Sequence, residues 1–187
     1  MQPTDRRLVA AEDLARAGIR DAPVEIVEYD SAWPAHYAVE RERLTPLLAG
    51  AEIHHFGSTA VPGLAAKPVI DMIALVCDLD APIAALVSSA GYQFPRAYNA
   101  TLTHRRFLCY PTPSHRTHHL HLVDEREELE RRLRFRDHLR EDPALAQEYA
   151  SLKRTLAERY VEDREAYTDA KGAFVKRVEQ SVPSSQA

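Results

Sequence analysis

Cysteine is scarce in this chain, with two among 187 residues, Cys77 and Cys109, far apart and outside any metal or redox spacing. That excludes a disulfide framework and a cysteine metal knuckle. Both read as reduced core or edge residues, as expected of a cytoplasmic protein. A long apolar run is also lacking, and the amino terminus, MQPTDRRLVAAEDL, carries early acids, so neither a signal peptide nor a membrane span is expected. Basic excess is missing too. A net charge of −4 and a pI near 6.1 argue against a general nucleic-acid binder. There is no internal repeat, and no low-complexity tract apart from the polar tail SVPSSQA. What remains, 45% hydrophobic residues in a chain of this length, is enough for the core of one domain.

Residues 1–23 are polar and read as an arm with a short helix, residues 24–180 as a single domain, and residues 181–187 as a tail. VEIVEY alternates as a strand, and Trp33-Pro34 opens a helix to about residue 48 with Asp30 or Ser31 as its cap. Further strands are expected at 52–57, 68–76, about 104–110 and 117–123, with a helix at about 81–90. From Asp124 the period changes to that of helices, at about 125–140, 143–160 and 163–180, with Pro143 as the breaker. The fold class is therefore α/β (α+β): a mixed sheet with packed helices and a C-terminal helical segment.

The most informative stretch is GSTAVPGLAAKPVIDM, residues 57–72. Gly57 permits close backbone approach and Ser58 offers a hydroxyl to a phosphate oxygen. Lys67-Pro68 then launches VIDMIALV, a buried strand in which Asp71 is the sole charge. Such a carboxylate needs a partner, a hydrogen bond or a metal. A P-loop is excluded, because its glycines are spaced differently and its lysine directly follows the second glycine, whereas Lys67 stands beyond Gly63 and Leu64-Ala65-Ala66.

The spacing from Gly57-Ser58 to Asp71 resembles the nucleotidyltransferase signature, a Gly-Ser followed by a strand with two carboxylates one residue apart. VEIVEYDSAWPAHY, HHFGSTAVPGLAAKPVID, THHLHLV, LRFRDHLREDPALAQEYASLKRTLAERY and DREAYTDAKGAFV together resemble the GrpB family of small bacterial proteins, from about residue 24 to about 178. That resemblance implies a nucleotidyltransferase-like fold and leaves the biochemical activity undefined. The position of the second superfamily acid is Ile73, which cannot share a metal with Asp71, so two-metal nucleotidyl transfer is in question.

Histidines are a substitute. Of nine, four fall between residues 115 and 121, and strand alternation puts His119 and His121 on one face of THHLHLV. With Asp71 they could ligate Mg, Mn or Zn, act as acid or base, or simply occupy a half-exposed sheet face. Arg136, Lys153 and Lys171 fall on or beside apolar helix stripes. They are read either as snorkelling side chains or as cations that neutralise phosphate together with Lys67 and Ser58. Arg105, Arg106 and Arg116 could serve likewise, but their loop-side setting favours plain solvation.

Three functions stay open. The first is a nucleotidyltransferase-like enzyme acting on a nucleotide or other phosphorylated small molecule with a divalent metal. The others are a non-catalytic nucleotide-binding regulatory module, and a metal-dependent hydrolase built on Asp71 with the His119/His121 pair.

Overall fold

The run after Lys67-Pro68 forms the strand expected of it, and three more strands assemble around it in a computed structural model that describes residues 22–181. The N-terminal arm to residue 21, with its expected helix, and the tail from residue 182 lie outside the described residues. The strands are β1 (Ile53–Phe56), β2 (Ile70–Leu75), β3 (Arg105–Pro111) and β4 (Arg116–Val123). Their order in the sheet is β1-β2-β4-β3. β1 lies antiparallel to β2, β2 parallel to β4, and β4 antiparallel to β3, so the sheet is mixed.

Strand alternation divides the sheet into two faces. Ile53, Ile70, Met72, Ala74, Leu108, Leu120 and Leu122 point to one side. There they form the main core with Trp33 and Leu44 of helix α1 (Trp33–Leu44) and Leu86 of α2 (Ile83–Ser88). The other side carries Phe56, Ile73 and Val123, packed on Leu129 of the long helix that follows β4. The helices after α2 are α3 (Arg96–Asn99), α4 (Arg126–Glu141), α5 (Pro143–Arg159), α6 (Arg164–Ala170) and α7 (Gly172–Ser181). Asp142 caps α5 by accepting from the backbone N–H groups of Ala144 and Leu145 at 2.9 and 3.0 Å, with Pro143 in the first turn where no donor is needed.

Several expectations are corrected. VEIVEY makes no ladder; it is extended backbone with one isolated bridge, Val27 to Ala66, and Val24 donates to the Val161 carbonyl instead of to a strand. Neither Asp30 nor Ser31 caps α1, since Asp30 Oδ1 takes the Ala32 N–H in a turn before the helix. α1 stops at Leu44 because Pro46 cannot continue it, and a 3₁₀ turn (Thr45–Leu47) follows. α3 has no sequence expectation, four residues being too few to show a period. Its Asn99 holds β3 by accepting from the Phe107 N–H at 2.7 Å and donating to the Phe107 carbonyl at 2.8 Å.

The expected helix over 163–180 breaks at Lys171, ahead of Gly172, a poor helix former. The break sends Tyr167 into one small core with Val24, Leu156 and Ala157, and Phe174 and Val178 into another with Val61, Leu64, Leu139 and Tyr149. Cys77 lies exposed beyond the end of β2, and Cys109 is buried in β3. No helix among the described residues is long and apolar enough to cross a membrane.

Leu120 sits fully buried in central strand β4. We expect Leu120→Ala to lower unfolding free energy by about 2–5 kcal/mol in chemical denaturation; a change below about 1 kcal/mol would show that this side of the sheet collapses around the cavity.

Candidate functional site

Parallel pairing of β2 with β4 creates the site. In that register Asp71 lies beside His119, and Ile73 beside His121. Because residues two apart on a strand share a face, Asp71, His119 and His121 project to the same side as Phe56 and Phe107. His119 Nδ1 stands 2.8 Å from Asp71 Oδ1. The three residues each offer one ligand atom, and these atoms all lie within 4.8 Å of one another.

The protonation states follow from the surroundings. Partial burial pulls the His119 imidazole below its ordinary value, against the opposing pull of Asp71. His121 is driven much lower, by burial and then by the charges of Arg105 and Arg132. Burial pushes the Asp71 carboxyl upward, but the His119 hydrogen bond and the charges of Lys171 and Lys67 outweigh it and hold Asp71 below the usual carboxylate range. The consistent assignment is an ionised Asp71 accepting from a neutral His119 through Nδ1–H. His119 Nε2 is then a bare lone pair. Both that atom and His121 Nδ1 are buried without a hydrogen-bond partner. Two neutral imidazoles with unpartnered nitrogens beside an ionised carboxylate are a donor set that a divalent ion of borderline softness fits.

The Gly-Ser turn forms the rim. Gly57 has φ +72°, and a Cβ there would stand 2.6 Å from Asp71 Oδ2. Both the backbone angle and the closeness of the carboxylate therefore demand glycine. Ser58 opens a short 3₁₀ turn (Ser58–Ala60). Opposite it stands Tyr149, whose hydroxyl is pushed up by burial, an effect that Ser58 opposes.

The cations fall into two groups. Arg136 donates to the His55 carbonyl at 2.8 Å and pairs with Asp137 at 2.7 Å, while Lys153 is fully buried and donates to the Ala65 carbonyl. Both thus hold the backbone of the Gly-Ser loop. Arg140, which sequence reasoning missed, does the same through two bonds to the Ala60 carbonyl, 2.9 and 2.7 Å. Its place one helical turn after Arg136 was the available signal.

Lys67 and Lys171 form the second group. Burial lowers Lys67 to about 7, helped by the charges of Arg164 and Arg116. Burial also lowers Lys171 to about 8, opposed by Asp71. The Lys171 ammonium lies 4.2 Å from the Tyr167 ring centroid, and neither lysine has a carboxylate or hydrogen-bond partner for its amine among the described residues. Arg116, read as solvated from sequence, belongs with them: its charge reaches both His119 and Lys67, and its guanidinium stands 5.9 Å from the Phe107 ring centroid. One carboxylate therefore faces several cations, a charge balance that suits an anionic ligand.

A mixed sheet that gathers one carboxylate and two histidines beside a Gly-Ser loop, with lysines near them, defines an α/β protein with a cluster of three possible metal ligands on one sheet face. The chain belongs to the GrpB family, whose profile, described as "GrpB protein", matches residues 23–181. It is 42% identical over 165 residues to a UPF0157 protein of Pseudomonas aeruginosa, covering 84% of this chain and 67% of that protein. Identity is 37% to the UPF0157 protein YqkA of Bacillus subtilis, covering 84% of this chain and 47% of that protein, so the chain spans about half of the latter's length. The crystal structure of conserved protein GrpB from Enterococcus faecalis superposes with a TM-score of 0.73 at 35% identity, covering 84% of this chain and 96% of that one.

Gly57 and Gly63 both have positive φ, but a Cβ at Gly63 would meet nothing within 4 Å. Gly63→Ala should therefore lose only the left-handed backbone term, about 1–2 kcal/mol. Gly57→Ala should lose clearly more in the same denaturation experiment, because its ψ of −170° lies in a region essentially closed to side chains and because Asp71 must move; equal losses would show that backbone and carboxylate both relax freely.

Proposed function

We propose that this protein binds a nucleotide or another phosphorylated small molecule together with one divalent metal ion. Asp71, His119 and His121 would hold the metal, and Lys67, Lys171 and Ser58 the phosphate. The observation that carries the reading is the convergence of three ligand atoms within 4.8 Å, two of them on neutral imidazoles. Such an ion supplies charge neutralisation at a phosphoryl group and a polarised oxygen at its fourth position. Asp71 gives the charge and His119 and His121 the nitrogen ligands, a set closer to Zn or Mn than to the all-oxygen shell that Mg prefers. The lysines orient the phosphate from the open side, and Gly57 lets the loop backbone approach it. The reaction class this supports is nucleotidyl or phosphoryl transfer with a single metal.

A non-catalytic binding module is the second reading, and Ile73 favours it. That residue is fully buried, packed with Phe56, Val123 and Leu129, at the position from which a second carboxylate would have reached the metal.

Metal content of the purified protein, and calorimetric titration with ATP, GTP, CTP and UTP in the presence of Mg, Mn or Zn, test the proposal. Near-stoichiometric metal is expected, lost by at least about tenfold in affinity in Asp71→Ala, His119→Ala and His121→Ala. No metal and no ligand binding in any combination would refute it. Labelled product released from a triphosphate would select the enzyme over the binding module.

pH gives an independent check. Lowered lysine values mean that Lys67 and Lys171 lose their protons near 7 and 8, and only the protonated forms attract an anion. Ligand affinity should therefore fall as pH rises through that window. Lowered imidazole values leave His119 and His121 unprotonated, so metal binding should persist below the ordinary histidine value of about 6.5. Ligand affinity that rises from pH 7 to 8 would exclude the two lysines as its anchors.

A further inference from the structure

β3 places another cation on the site face. In its register Arg105 lies opposite Val123, and Phe107 opposite His121. Arg105 is thus the diagonal neighbour of His121, within reach for so long a side chain. Its guanidinium offers five donors. Among the described residues one bond uses them, to the Tyr98 hydroxyl at 3.3 Å, and no carboxylate pairs with it. The neighbouring arginines are matched: Arg131 and Arg132 both bind Glu128 at 2.6 Å, and Arg131 also binds Glu179 at 2.6 Å. Arg105 is a half-buried guanidinium that feels the charge of Glu128 but has no carboxylate in ion-pair contact among the described residues. Such a group is poorly satisfied until an anion reaches it.

Its position along the strands matters more than its charge. β2 and β4 run in the same direction, with Asp71 beside His119, then Ile73 beside His121, then Leu75 beside Val123, the level of Arg105. Lys67 precedes β2 at the opposite end. From the Asp71 level to the Arg105 level is four strand residues, about 13 Å, less the reach of the arginine. Between them lie the two imidazoles, with ring centroids 6.4 Å apart, and Phe107 edge-on to His119 at 5.1 Å. Arg132 marks the same far end, its guanidinium 5.8 Å from the Phe56 ring that meets His121 edge-on at 5.2 Å.

We propose that the ligand carries two separated anionic groups, one held by Lys67 and Lys171 and the other by Arg105, with the histidine pair between them. The proposal rests on the phosphate-binding reading above and narrows it to bis-anions such as bisphosphates or phosphorylated carboxylates.

Two pairs of probes test it by calorimetry with Mn present: adenosine 3′,5′-bisphosphate against AMP, and fructose 1,6-bisphosphate against fructose 6-phosphate. In at least one pair the bisphosphate should bind tighter by about tenfold. Arg105→Gln should remove that preference while leaving the monophosphate within about twofold, and Arg105→Lys should keep part of it. Lys171→Gln should weaken both members of the pair. The proposal is overturned if neither bisphosphate outbinds its monophosphate, or if Arg105→Gln and Arg105→Lys weaken both members equally. If none of the four compounds binds the wild-type protein while a nucleoside triphosphate does, this proposal falls and the phosphate reading stands; if the triphosphates fail as well, both fall.

Discussion

A carboxylate on an interior strand of a sheet must be satisfied from within the protein, and Asp71 is satisfied by the His119 imidazole at 2.8 Å, across the parallel pairing of β2 and β4. Much else follows from that bond. It requires a proton on His119 Nδ1, and burial, which lowers the imidazole against the pull of Asp71, leaves Nε2 as an open ligand atom. It requires the strand before the turn to end in glycine, since any Cβ at residue 57 would enter the space of Asp71 Oδ2. The charges of Lys171 and Lys67 help keep that carboxylate ionised.

The loop above this carboxylate has few strand partners for its carbonyls, and buried carbonyls need donors. The C-terminal helices supply them. Arg136 and Arg140 from α4 and Lys153 from α5 reach the carbonyls of His55, Ala60 and Ala65 respectively. The helical segment is thus more than a cover over one side of the sheet: its cations shape the Gly-Ser loop, and the break at Lys171 turns one further amine towards Asp71. Cations that look alike on a helix stripe therefore serve two purposes. Arg136 and Lys153 hold backbone, whereas Lys171 and Lys67 face the carboxylate with their amines unpartnered.

All four strands were legible, β2 from a short run of branched apolar residues and β4 from alternation, with boundaries within a few residues. VEIVEY alternates equally well and is not a strand, because alternation says nothing about whether a neighbouring edge is available. The break at Lys171 escaped notice because the apolar period continues unbroken across it, although the two halves of the stripe serve separate clusters. Within the site, Asp71 stood out as a lone charge in an apolar run and His119 and His121 as a same-face pair. Arg105 and Arg116 were candidates that the sequence favoured as solvated, since an arginine at a strand end has the same local signature whether it faces solvent or the site.

Local sequence determined the parts: a turn that must contain glycine, a strand bearing one acid, a strand with two histidines on one face, and helices capped at Asp142 and Asp163. These depend on backbone angles and side-chain alternation within a few residues. Tertiary structure decided which strands became neighbours and in what register. That choice rests on packing Leu120, Leu122, Met72 and Ala74 against α1 and α2, far away in sequence, and it alone brings Asp71 beside His119. A metal-suited cluster is therefore a property of the β2/β4 register: a shift of one residue would turn both histidines to the opposite face while leaving every local signal unchanged.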